Sequence, residues 1–325
     1  MDKQKYNVYS QYLKRKYGEK VYKLPVNLPV TCPNRDGTIG RGGCIFCGAE
    51  GAGFENLPDS LSVQSQIEQN MQYMGKKYNA GKFIAYFQNF TNTYMPLEDF
   101  KKYMLQACQP RIVEISISTR PDCIHEAYLA FLNRLKQEKE MNISIELGLQ
   151  TVNYHSLRKI NRGHTLSEFI DALLRIKKFG FETCAHLILN LPWDTMEDVI
   201  ENAKILSALE VNQIKLHSLY IVKGTVLGEL YQKGELDIIS LEEYINRVIT
   251  FLEYLSPDIT LQRLIGRAPE ENTLFVNWDT SWWKIRDLIE QEMENRQSCQ
   301  GKRFDYLNGK GVRELVDSGQ WTVDS

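Results

Sequence analysis

Short apolar, β-branched runs recur along the chain, each followed by a stretch with helical spacing. The runs are Val21–Leu28, Phe83–Gln88, Ile112–Ser118, Ile143–Leu147, Cys184–Leu189 and Gln213–Leu219. Their nearly continuous hydrophobicity suits parallel strands covered on both faces. Between them the spacing predicts helices over Val63–Tyr78, Leu97–Ala107, Ile124–Gln137, Leu166–Phe179 and Thr195–Leu209. Two helix starts carry a capping signal, Thr165 with Glu168 three residues on and Thr195 with Asp198. Gly180, after Lys177-Lys178-Phe179, reads as a C-terminal stop.

Six repeats of strand then helix imply a parallel sheet with right-handed crossovers, either open or curled into a barrel. In both cases ligands bind at the C-terminal ends of the strands. That rule gathers Gln88, Asn89, Ser118, Thr119, Arg120, Gln150 and Asn190 at one end. Beyond Tyr220 the pattern changes to an amphipathic helix near Leu241–Leu255, a strand at Ile259–Leu264 and a tryptophan-rich stretch with Trp278, Trp282 and Trp283. Each tryptophan taken singly reads as lid packing.

Composition changes this picture little. With 325 residues, 43% hydrophobic and 25% charged, the chain is ordinarily globular. A net charge of −2 gives no whole-molecule attraction for polyanions, so nucleic-acid binding would need a local patch. Residues 1–24 offer one, with Lys3, Lys5, Lys14, Arg15, Lys16, Lys20 and Lys23 against Asp2 and Glu19. The same run also reads as a solvated helix face. No apolar stretch is long enough to span a bilayer and no signal-like segment follows Met1, so a cytoplasmic protein is expected.

Seven cysteines, an odd number, are not a disulfide framework. Three stand close together in Cys32-Pro-Asn-Arg-Asp-Gly-Thr-Ile-Gly-Arg-Gly-Gly-Cys44-Ile-Phe-Cys47, directly after the first strand. Three thiolates leave one iron of a cubane free, whereas a structural zinc ion normally takes four protein ligands. Gly37, Gly40, Gly42 and Gly43 let the backbone wrap closely around a bulky group. At this point two other readings stand beside the cluster. One is a zinc site completed by His125, His155, His164, His186 or His217; the other is a set of unliganded thiols. Cys108, Cys123, Cys184 and Cys299 read as small apolar fillers.

Taken together, Tyr6–Leu13, Leu24–Cys47, Tyr86–Tyr94, Ser116–Asp122, Glu146–Gln150, Ile160–His164, Leu216-His217, Lys223–Thr225 and Gln300–Lys302 resemble the radical S-adenosylmethionine (SAM) family. The likeness is to its YhcC/YtqA-type group and, more distantly, to the elongator catalytic subunit and the oxygen-independent coproporphyrinogen oxidases. It implies an α/β fold, a partial (β/α)6 barrel over residues 23–222, with an N-terminal extension over 1–22 and a C-terminal α+β extension over 223–325. It also implies a [4Fe–4S] cluster on Cys32, Cys44 and Cys47, whose free iron chelates SAM. Reductive cleavage of SAM would give methionine and a 5′-deoxyadenosyl radical that abstracts a substrate hydrogen, with flavodoxin or ferredoxin as electron donor.

Carried over residue by residue, the resemblance puts Gln88 and Asn89 near the methionine amino group, Ser118 and His186 near the ribose, Gln150 facing SAM, and Arg162 on the methionine carboxylate. A guanidinium's two-pronged fit to a carboxylate gives that last match its own chemical reason. Where relatives carry Gly-Leu-Pro-Gly-Glu, this chain has Asn190-Leu-Pro-Trp-Asp194. Trp193 there either reshapes the turn or stacks on the adenine. The substrate class implied is tRNA, at a wobble uridine side chain, without acetyl transfer. Two alternatives are a radical SAM enzyme for a small metabolite such as a tetrapyrrole, and a non-catalytic zinc-binding adaptor. No dedicated catalytic acid or base can be named from the sequence, and the oligomeric state is not fixed by it.

Overall fold

The computed structural model describes residues 5–48, 51, 56–267 and 272–317, so Lys3 of the basic run lies outside it. Its strands are β1 (Val21–Val26), β2 (Lys82–Phe87), β3 (Ile112–Thr119), β4 (Asn142–Gln150), β5 (Glu182–Ile188), β6 (Gln213–His217), β7 (Ile221–Val222), β8 (Thr260–Arg263) and β9 (Thr273–Phe275). The helices are α1 (Tyr9–Tyr17), α2 (Pro33–Asp36), α3 (Val63–Tyr78), α4 (Leu97–Ala107), α5 (Glu126–Lys139), α6 (Tyr154–Lys159), α7 (Leu166–Lys178), α8 (Met196–Ala208), α9 (Val226–Gln232), α10 (Leu241–Tyr254), α11 (Trp282–Asn295) and α12 (Arg313–Asp317). Among the described residues no helix is long and apolar enough to cross a membrane.

One sheet runs β1-β2-β3-β4-β5-β6-β8 with every neighbouring pair parallel, a curled half-barrel. The expected strand at Ile259–Leu264 forms, but it joins this sheet beside β6 as a seventh strand. Four residues are too few to announce parallel pairing in a sequence, and the partner supplies the register, Gln213 opposite Thr260. Separately, β7 and β9 make a small antiparallel pair. The caps form as read: Thr165 with Glu168 and Thr195 with Asp198 are both reciprocal capping boxes, and Gly180 follows α7 at φ +64°.

The central strands are buried on both faces, as expected, but only one of those faces is apolar. Ile115, Ile117, Ile145, Leu147, Ile214 and Leu216 belong to one core with the helix residues Phe100, Met104, Leu132, Phe169, Leu173 and Leu206. The alternate positions Ser116, Ser118, Ser144, Glu146 and Lys215 are buried and hydrogen-bond among polar neighbours. Strand side chains alternate between faces, so a curled sheet with helices outside turns the second set toward the barrel axis.

Trp278 fills the lid as read, with Nε1 donating to Ile239 O at 2.7 Å and its ring 5.0 Å from that of Tyr244. Trp283 is exposed, whereas Trp282 reaches the cavity described next. The basic run is less free than it reads: Lys5, Lys16 and Lys23 pair with Glu294, with Glu114 and Glu182, and with Glu146.

Candidate active site

A cavity of about 530 Å³ opens at the C-terminal ends of the strands. On one side stands the cysteine loop. Cys32 precedes the single turn of α2, Cys47 N donates to Cys44 O at 2.9 Å, and all three cysteines line the cavity. Asn34, almost wholly buried, ties this loop to the distant segment 160–163. Its Nδ2 donates to Asn161 O at 2.6 Å, Asn161 Nδ2 donates back to Gly43 O at 2.8 Å, and Ile45 N donates to Ile160 O at 3.1 Å. Gly43 must be glycine twice over: its φ is +79°, and a Cβ there would lie 2.9 Å from the Arg35 side chain.

Each cysteine faces a guanidinium. Nη1 of Arg162 lies 3.5 Å from Cys44 Sγ, Nη1 of Arg35 3.6 Å from Cys47 Sγ, and Nη1 of Arg120 4.0 Å from Cys32 Sγ. Burial pushes the Cys47 thiol up to about 11, aided by the neighbouring Cys44 and opposed by Arg35. Among the described residues the one trio of His, Cys, Asp or Glu with ligand atoms mutually within 4.8 Å is Glu146, Cys184 and His186. The loop cysteines form no such trio. Three thiolates are one short of a closed zinc site and are the number that leaves one iron of a cubane free, so the donor set suits the cluster.

The five histidines that stood as fourth zinc ligands have other neighbours. His125 caps α5, His164 bonds Gly148 O and Thr165 O, and His186 bonds Glu146. His217 meets Arg263, and His155 packs its ring on Tyr154.

The sequence-predicted SAM contacts divide. Gln88, Ser118, Gln150, Arg162 and His186 all line the cavity with the cysteines. Asn89 does not appear in that lining; it is buried behind it, its Nδ2 donating to Asn27 Oδ1 at 3.1 Å while its own Oδ1 has no partner. Arg162 is buried, with Nη2 donating to Gly148 O at 2.7 Å, and its Nε is an orphaned donor. An unmet guanidinium N–H beside the cysteines suits a carboxylate, so the residues present fit SAM as well as the cluster. Trp193 packs instead against the small apolar cluster that includes Leu157, Ile160 and Ile188, beneath Lys159, and is not in the cavity lining. Asp194 is held by Ser156, and burial raises its carboxyl to about 6.

Opposite the cysteines lies a polar wall that sequence reading largely missed. Glu146, fully buried, accepts from Lys23, from His186 at 2.7 Å, Ser116 at 3.0 Å, Gln262 at 3.1 Å and Lys215 at 3.4 Å. Burial alone would raise this carboxyl, but Lys215, Lys23 and His186 outweigh it and hold it well below the usual range. Lys215 Nζ also donates to Tyr86 Oη at 2.6 Å, and burial lowers its ammonium to about 8. The available signal was a lysine in the middle of an apolar strand, Gln213-Ile-Lys-Leu-His217.

The model of the Radical SAM superfamily matches residues 29–206, and that of the Radical SAM C-terminal domain matches 211–295. YtqA of Bacillus subtilis is 36% identical over 93% of this chain and 94% of its own length. YhcC of Escherichia coli K12 is 32% identical over 97% and 96%. A tRNA uridine(34) acetyltransferase of Methanocaldococcus jannaschii is 25% identical over 70% of this chain but 48% of its own. Among solved structures, Elp3 of Methanocaldococcus infernus lacking its N-terminus superposes with a TM-score of 0.66 at 18% identity, over 86% of this chain and 64% of that one. At that identity the likeness is one of fold.

Proposed function

The chain belongs to the radical SAM superfamily, and on that premise we propose that it modifies tRNA, at the side chain of a wobble uridine. Its standing as a radical SAM enzyme with a [4Fe–4S] cluster and SAM goes with the family. The wobble-uridine reading is supported by the similarity, across 70% of this chain, to a tRNA uridine(34) acetyltransferase. Charge lends it little, because Arg303 and Lys310 near the C-terminus are paired with Glu253 and Asp305, and Lys5, Lys16 and Lys23 near the N-terminus are paired too.

A bound [4Fe–4S] cluster with SAM would supply reductive SAM cleavage and, through it, hydrogen-atom abstraction from substrate. The chain's own residues bind and orient. Cys32, Cys44 and Cys47 would hold the cluster, the unpaired Nε of Arg162 would meet the SAM carboxylate, and Gln88 would serve the amino group, with Asn89 held on Asn27 outside the cavity lining. Ser118, Gln150 and His186 would position the nucleoside. Burial keeps His186 neutral, lowering it to about 4, so it offers a fixed hydrogen bond rather than a mobile proton. Flavodoxin or ferredoxin would deliver the electron.

The observation that carries this reading is the three cysteines lining one cavity, with a buried arginine beside them whose Nε has no partner. An anaerobic SAM-cleavage assay tests the chemistry: wild type releases 5′-deoxyadenosine and Cys44→Ala does not. Deletion of the gene, followed by nucleoside mass spectrometry, tests the substrate. An unchanged tRNA nucleoside profile rejects tRNA.

A further inference from the structure

The wall made by β6 and β8 holds two cations where one would be expected. Lys215 and Arg263 stand opposite each other in register on adjacent parallel strands. Like charges placed so are mutually destabilising. The pairing slips between Ile214 and Lys215, where Leu261 and then Arg263 are the partners and Gln262 is the extra residue. A bulge of this kind re-aims a side chain. Here its effect is that two consecutive residues, Gln262 and Arg263, both line the cavity instead of alternating.

The surroundings do not neutralise Arg263. Its Nη2 lies 2.6 Å from His217 Nδ1, its Nε donates to Leu216 O at 3.3 Å, and among the described residues no carboxylate lies within ion-pair distance of it. Glu146 is the one carboxylate among the described residues lining the cavity, and it is already shared by Lys23 and Lys215. Burial, then Arg263 itself, holds His217 well below its usual value, so the ring is neutral and offers no countercharge. Arg263 is half-buried on the cavity wall; a guanidinium partly withdrawn from water without a countercharge is unfavourable, and such groups persist where a ligand completes them.

We propose that Arg263, Lys215 and His217 form a substrate subsite for an oxyanion, a carboxylate or a phosphate, on the wall facing the cysteine loop. That the anion belongs to the substrate rests on the function proposed above; that an anion binds here does not. Arg263 gives the two-pronged contact, Lys215 a point charge, and Gln262 and His217 neutral polar neighbours.

The test is calorimetric titration of the anaerobically reconstituted holoenzyme with inorganic phosphate and, separately, with acetate. Both are run at constant ionic strength set by chloride, with SAM saturating and no reductant present, so that Arg162 is already engaged. Saturable binding of phosphate, acetate or both is expected, the tighter of the two naming the substrate's group. Arg263→Gln should weaken it on the order of thirtyfold or more, and Arg263→Lys should restore part of the loss, which separates a missing charge from a damaged fold. No saturable heat with either anion, or equal affinity in wild type and Arg263→Gln, overturns the proposal. Binding seen only when SAM is absent would give the site to SAM's own carboxylate and overturn it as well. SAM cleavage on the same preparation reports separately on the radical chemistry.

Discussion

Replacing Glu146 by glutamine removes the negative charge from the barrel interior while keeping the side chain's shape. The carboxylate is fully buried and five donors converge on it, two of them the ammonium groups of Lys23 and Lys215. Breaking a buried ion pair from one side costs about 3–5 kcal/mol, because the charge left behind has no partner. The lysine side chains keep 17% and 10% of their exposure, so water relieves part of that and the lower figure, about 3 kcal/mol, is expected. With a urea dependence of about 3 kcal/mol per molar, the midpoint should fall by about 1 M. Anaerobic urea unfolding followed by tryptophan fluorescence reads this directly. Adding Lys215→Met to Glu146→Gln should recover about 1 kcal/mol or more, the sign of direct coupling in a double-mutant cycle. A midpoint shift under about 0.3 M at unchanged slope would refute the view that this carboxylate holds the cations in place.

Gly148→Ala would set a Cβ 2.7 Å from Arg162 Nη2 and 3.0 Å from Gln150 Nε2; losing the charged Arg162 bond, about 1.5–3 kcal/mol, should weaken SAM binding tenfold or more by calorimetry, and unchanged affinity would contradict the placement of Arg162. Gly40→Ala would put a Cβ 2.3 Å from Asn34 Oδ1, unseating the side chain that fastens the cysteine loop to Asn161. Iron content after reconstitution should drop well below that of wild type. For pH, burial lowers His186 to about 4 and His164 to about 3, so each is neutral when folded but takes a proton near 6.5 when unfolded. Their contribution is complete above pH 6.5 and is lost as pH falls toward those values. Asp194, raised to about 6, acts oppositely, adding stability below about 3.8 that is lost as pH rises through 6. His217, also held well below its usual value, acts with the other two histidines, so three groups against one leave a net loss of about 2.7 kcal/mol per pH unit as pH falls below 6, and stability that stays flat from pH 8 to 5 in urea titrations would contradict it.

Much of this was legible in the sequence because it is local. The cysteine loop concentrates its chemistry in sixteen consecutive residues, Cys32 to Cys47, and the capping boxes are signals four residues long. The inner wall was not legible, because Lys215 acquires meaning only from Glu146 on β4 and Tyr86 on β2. Arg263 depends on a slip in strand pairing that no run of residues announces. Asn89 shows the reverse: its strand-end position is as expected, yet its side chain turns to Asn27, behind the cavity lining. The N-terminal lysines look like an RNA-facing patch in one dimension. In three, Glu114, Glu146, Glu182 and Glu294 come from up to 289 positions away to meet Lys5, Lys16 and Lys23.

The half-barrel leaves β1 and β8 without a second strand neighbour, and the start of the chain spans that opening. Val8 bridges Leu261, whose N–H reaches Asn7 O at 2.8 Å, and Gln300 fastens Asn7 from the far end with its Oε1 at 2.8 Å. Asn7 and Val8 therefore have a partner, Leu261, that is made more than 250 residues after them. The seam closes last, as a late, long-range step on a scaffold already wound, and a nascent polypeptide stalled before residue 261 carries two unguarded rims open to pairing with other chains.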